Sequence, residues 1–81
     1  MLKQILCVRD SVADVFFTPF FASSLSVGQR DFVKGCQDGL AEHPKDLVLY
    51  HLGDMDDVSG LMRAIDPVRV MNGFEALQEE K

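Results

Sequence analysis

Basic side chains, cysteine and histidine are all scarce in this chain, and each scarcity removes a class of function. Its 81 residues hold eight Lys and Arg against thirteen Asp and Glu, a formal net charge of −5. A dedicated duplex-DNA binder usually carries a basic stripe, and this balance argues against one. The two cysteines, Cys7 and Cys36, stand in no C-x-x-C pair and read as reduced, partly buried thiols rather than a disulfide framework. The two histidines, His43 and His51, have no second ligand at helical or finger spacing, so no zinc site is expected. No apolar run approaches the roughly 18 residues of a membrane span. There is no G-x-S-x-G and no glycine-rich phosphate loop, and the single glycine of "SVGQRD" does not make a Walker motif. The expectation is a protein that is not an enzyme, with no cofactor, no metal and no membrane partner.

What is present is the composition of an ordinary folded globule, 47% hydrophobic and 26% charged. The length makes a single domain over residues 1–81. A chain of this size buries only roughly 60–65% of its unfolded surface. Uncovered sheet edges and apolar surface therefore lead to the expectation of a homodimer. The charge is unevenly spread: residues 1–37 carry +1 and residues 38–81 carry −6. The opening "MLKQILCVRD" is too short for a signal h-region and ends in Arg9 and Asp10, which points to a cytoplasmic protein.

The expected fold class is α+β: a small, mainly antiparallel three-stranded sheet with one main helix and short helical segments. The strands are expected at about 2–8, 47–53 and 60–65, the last two forming a hairpin through "GDMDDVSG". Alternation places Leu47, Leu49 and His51 on one face and Val48, Tyr50 and Leu52 on the other. The main helix is predicted over 26–38, with Ser26 as cap and Gly39 as terminator. Phe32, Val33, Cys36 and Leu40 would face the core, leaving Arg30, Lys34 and Gln37 exposed. Gly28 and Gly35 each weaken that helix by about 1 kcal/mol relative to alanine, unless they permit a close approach to a strand or partner. "SVAD" at 11–14 resembles a capping box opening a short helix to Phe17, and Thr18-Pro19 would begin a second turn. A C-terminal helical turn brings Phe74 and Leu77 inward.

Two constellations invite a function. Asp54, Asp56 and Asp57 suggest calcium, but the EF-hand spacing fails: Val58 and Ser59 occupy the fifth and sixth places, and Ile65 stands where the twelfth-position glutamate belongs. A solvated turn is the better reading. The second is "DVFFTPFFASS", which holds four of the six phenylalanines. If the segment is helical, Phe17 and Phe21 are i, i+4 partners in the core, and Phe16 and Phe20 lie one position round, where a half-exposed, partner-facing place and burial are equally open. Phenylalanine beside Arg and Lys can bind single-stranded nucleic acid by stacking and phosphate neutralisation.

The ordered string "VRDSVADVFFTPFFASSLSVGQRDF" followed by "HPKDLVLYHLGDMDDVSGLM" resembles the small nonstructural protein of gokushovirus-type microviruses, which are single-stranded DNA phages. Asp10, Pro19, Phe20, Arg30, Phe32, His43, Pro44, Asp46, Leu49, Gly53, Asp56, Asp57 and Gly60 occupy the places of that family's pattern, over about residues 5–62. Gly28 departs from the usual alanine, and Leu47 stands where an aromatic is usual, with Tyr50 nearby. The resemblance implies a phage protein in the cytoplasm of the infected bacterium, nonstructural and associated with DNA binding or replication. It is likened to the protein that switches classical microviruses to single-strand synthesis for packaging.

The expected function is accordingly a non-enzymatic replication accessory protein that binds single-stranded DNA, a replication protein, or both. Arg9, Arg30 and Lys34 are the candidate phosphate contacts, and Phe16 and Phe20 the candidate stacking surfaces. The rival is a homodimeric interaction module that binds a host or phage protein without nucleic-acid contact. A minor virion component is a third reading, less consistent with a folded, acidic chain.

Overall fold

The computed structural model describes residues 1–39 and 42–79, and the hairpin expected from strands at 47–53 and 60–65 is its longest feature. Strand β1 (Leu2–Asp10) is followed by two short strands, β2 (Val15–Phe16) and β3 (Phe20–Ala22). Helix α1 (Leu25–Gln37) and a single 3₁₀ turn (Pro44–Asp46) lead into β4 (Leu47–Asp56), β5 (Met62–Asn72) and helix α2 (Gly73–Gln78). The sheet is antiparallel in the order β2-β1-β4-β5, with β3 pairing β1 as well. The three expected strands are there, longer than expected. The correction is the extra edge: residues 15–16 and 20–22 are strands, where short helices were expected.

The reason lies at Asp10 and Asp14. Ser11 does not cap a helix; its hydroxyl donates to the Asp46 carbonyl at 2.7 Å. The Asp10 carboxylate instead accepts from the amides of Val12 and Ala13, both at 3.0 Å, and closes a tight turn. Asp14 takes a positive φ of 61°, a conformation Asp tolerates better than most residues. The chain thereby reverses and lays Val15 to Ala22 along β1, in register Arg9↔Phe16 and Ile5↔Phe21. Pro19, which has no amide to donate, falls in the gap between β2 and β3.

Helix α1 begins two residues earlier than the Ser26 cap implied. The Ser24 side chain accepts from the Val27 amide at 3.2 Å. The helix buries Phe32 and Cys36 against Leu6, Ala22, Leu47, Leu49, Met71 and Ala76, with Val33 partly buried. Leu40, expected on the same face, lies outside the described residues. Gly28 is buried there for close approach: a Cβ would lie 2.7 Å from a Leu6 methyl. Gln37, expected to be exposed, is half-buried, and its amide donates to the carbonyls of Ala76 at 3.1 Å and Glu79 at 2.7 Å, tying the two helices together. Helix α2 carries the capping box that 11–14 lacks: Asn72 accepts from the Glu75 amide, and Glu75 accepts from the Asn72 amide. Leu77 packs on the core, but Phe74 does not; it is 54% exposed, under the Lys45 ammonium.

Cys7 and Cys36 are both free and buried, and burial pushes both thiols up from their ordinary value. Farther along the sheet, β4 bulges at Leu52, and the His51 Nε2–H donates to Gln4 at 2.9 Å and to the Gly53 carbonyl at 2.8 Å, pinning the bulge. At the hairpin end Arg63 grips Asp54 through two hydrogen bonds of 3.0 Å. These bonds hold the Asp54 carboxyl below its usual range, and the Val58 and Ser59 amides do the same for Asp56. A lowered folded-state pKa contributes stability above the unfolded value of about 4 and loses it as the pH falls through the folded value. Melting temperature should therefore drop as neutral solution is acidified below that range, and Asp54→Asn should flatten part of the slope. An unchanged slope would show that the pair contributes nothing.

Candidate nucleic-acid interface

Both helices pack on one side of the sheet, so among the described residues the other side is covered by its own side chains. Directly opposed residues of an antiparallel pair share a face. Leu6, Val8 and Leu49 belong to the helix side. The residues between them, Ile5, Cys7 and Arg9 on β1 and Val48 and Tyr50 on β4, therefore point to the helix-free side. There Cys7 stands opposite Tyr50, Tyr50 opposite Arg69, Arg9 opposite Phe16 and Ile5 opposite Phe21. Ile5 and Cys7 are buried as a floor. The Phe16 and Tyr50 rings meet edge to face, centroids 5.4 Å apart, and the Arg9 guanidinium lies 5.8 Å from the Phe16 centroid. Phe16 remains 42% and Phe21 48% exposed. Arg9 is held by Asp14, and Arg69 by Glu75.

The phenylalanine segment divides differently from its helical reading. Phe16 and Phe21 lie on the helix-free side. Phe17 and Phe20 lie on the helix side, where both line a pocket with Val8, Phe32 and Leu47. Phe17 and Phe21, expected in the core, are 49% and 48% exposed, while Phe20, expected to face a partner, is half-buried against the core. An extended chain turns its side chains every second residue, not every fourth, and the unpaired Thr18-Pro19 step resets the alternation.

Of the five candidate residues, Arg9 and Phe16 come together. Phe20 is on the opposite side of the sheet. Arg30 and Lys34 are exposed on the outer surface of α1, also away from Arg9, with Arg30 3.9 Å from Asp31. The five do not make one surface. Three residues outside those five join Arg9 and Phe16: Tyr50, Phe21 and Arg69. The alternation of "LVLYHL" already put Tyr50 on the face opposite Leu47 and Leu49, and that signal identifies it. Arg69 has no such signal, because it lies beyond the strand expected at 60–65, in the part of β5 that runs on to Asn72.

An aromatic pair with a flanking guanidinium on an open sheet face can stack bases and neutralise phosphate. Among the described residues no group of three or more His, Cys, Asp or Glu side chains is placed to hold a metal ion. No curated protein and no solved structure matches the chain. A family model does match, over residues 3–76, and by it the chain belongs to the phage ORF5 protein family.

Proposed function

We propose that this phage protein is a non-enzymatic accessory factor of viral DNA replication in the cytoplasm of the infected bacterium, and that it binds single-stranded DNA on the helix-free face of its sheet. The observation that carries the reading is the exposed Phe16, edge to face with Tyr50 and beside Arg9, with Phe21 in the same row. Family membership supports the phage setting, and the resemblance to microvirus proteins supports a single-stranded DNA genome as the context. Phe16 and Phe21 would stack on bases, Tyr50 would hold Phe16 in place, and Arg9 and Arg69 would meet phosphates. Arg30 and Lys34 fall outside this surface.

Fluorescence anisotropy with labelled single-stranded and duplex oligonucleotides, over a salt series, tests it. Phe16→Ala should weaken single-strand binding by about 1–3 kcal/mol, the value of one stacked base. Arg9→Ala and Arg69→Ala should each reduce the salt slope by about 0.7. Asp14→Asn, which keeps a residue tolerant of positive φ, should tighten binding by releasing Arg9. Arg30→Ala and Lys34→Ala should leave binding unchanged. Absence of binding at low salt, or a Phe16→Ala variant that binds like wild type, would overturn the reading.

The second reading is a protein-interaction module without nucleic-acid contact. The net charge of −5 and the carboxylates already paired with Arg9 and Arg69 favour it. In the same titration it requires no oligonucleotide binding by any variant, Asp14→Asn included.

A further inference from the structure

On the helix side, α1, β3 and the end of β1 border an open apolar pocket of about 310 Å³, lined by Val8, Phe17, Phe20, Phe32, Gly35, Cys36 and Leu47, with Asp31 at its margin. That volume is at the lower limit of ligand pockets and suits a single aromatic side chain. Gly35 is the informative residue. It sits inside a helix, where glycine is unfavourable. Unlike Gly28 it has no close neighbour, and a Cβ there would meet nothing within 4 Å. Among the described residues no contact explains it, and a side chain there would project at the pocket wall.

The chain also carries a knob of matching chemistry. Phe74 is 54% exposed on α2, and the Lys45 ammonium lies 5.9 Å from its ring centroid. Lys45 is in the 3₁₀ turn that runs directly into Leu47, which lines the pocket. Lys45, and Phe74 beneath it, thus stand two residues along the chain from a wall of the pocket. A two-fold axis between knob and pocket sets each knob over the other copy's pocket, as an isologous interface requires.

We infer that the chain forms a symmetric dimer in which Phe74 of each copy enters the α1 pocket of the other, with Lys45 facing Asp31 across the interface. Aromatic residues filling desolvated pockets are the usual anchors of such contacts, and the opposite charges fix the orientation. The pairing uses the helix side and leaves the helix-free face open, so it stands independently of nucleic-acid binding.

Sedimentation equilibrium of the full chain tests it. Wild type should dimerise at micromolar concentration. Phe74→Ala should weaken the dimer about thirtyfold, the loss of one strong anchor. Gly35→Leu should fill the pocket and give a monomer whose thermal melt is at or above wild type. Asp31→Lys and Lys45→Asp should each weaken the dimer, and combining them should restore it. Three results would each overturn the inference: wild type at 9.0 kDa at high micromolar concentration, Phe74→Ala and Gly35→Leu variants that dimerise like wild type, or a double charge swap no better than the single ones.

Discussion

Phe32→Ala should lower stability by roughly 3–5 kcal/mol, the cost of truncating a buried aromatic. Phe32 is 6% exposed and stands at the centre of the helix-side core, touching the layer formed by Leu6, Ala22, Leu47 and Leu49. An 81-residue domain has about 4–12 kcal/mol in total. The variant should therefore be largely unfolded well below the wild-type melting temperature. Phe17→Ala and Phe21→Ala make the comparison that matters. Each ring is about half exposed, so each truncation should cost only roughly 1 kcal/mol. Circular-dichroism melts of the three variants separate the two pictures. If Phe21→Ala unfolds as readily as Phe32→Ala, the helix-free face is a second core rather than an open surface.

Gly73→Ala is expected to be comparably severe, by a different mechanism. A Cβ on Gly73 would sit 1.6 Å from the Pro44 carbonyl oxygen and 2.6 Å from its carbon. Both are backbone atoms, so no side-chain rotation relieves the clash. Either α2 lifts from the 3₁₀ turn, or the turn leaves β4. Lifting α2 uncovers Ala76 and Leu77 and strains the Gln37 bridge between the helices. Overpacking of this kind costs about 3 kcal/mol or more. For a domain of this size that lowers the melting temperature by roughly 12–24 °C. Gly35→Ala is the control: with open space at its Cβ and a gain in helix propensity, it should stabilise the chain by about 1 kcal/mol. A Gly73→Ala variant that melts with wild type would mean that α2 does not rest on the Pro44 turn.

Several features were legible without any structure. The alternation of "LVLYHL", with turn residues after it, predicts the β4–β5 hairpin, because side chains on a strand point alternately to two faces. The spacing of Phe32, Val33 and Cys36 predicts α1 and its buried face, because a 3.6-residue period puts them on one stripe. The lack of metal-ligand spacing and of catalytic motifs is likewise a property of the string.

The course of residues 11–22 was decided by tertiary structure. Serine followed three residues later by a carboxylate is a helix-start signal, but the Ser11 hydroxyl is occupied by the Asp46 carbonyl, 35 residues away. The open edge of β1 pairs Val15, Phe16 and Phe20 to Ala22 and takes the Phe17 amide at the Val8 carbonyl, partners that two helical turns interrupted by Pro19 cannot equal. That exchange set the face of every phenylalanine in the segment. It put Phe16 beside Tyr50 and Arg9, and it left Arg30 and Lys34 on the far side of the molecule. Sequence order concentrates four of the six phenylalanines in one segment. Which of them share a surface depended on strand register, and register is set by pairing between segments that local sequence does not bring together.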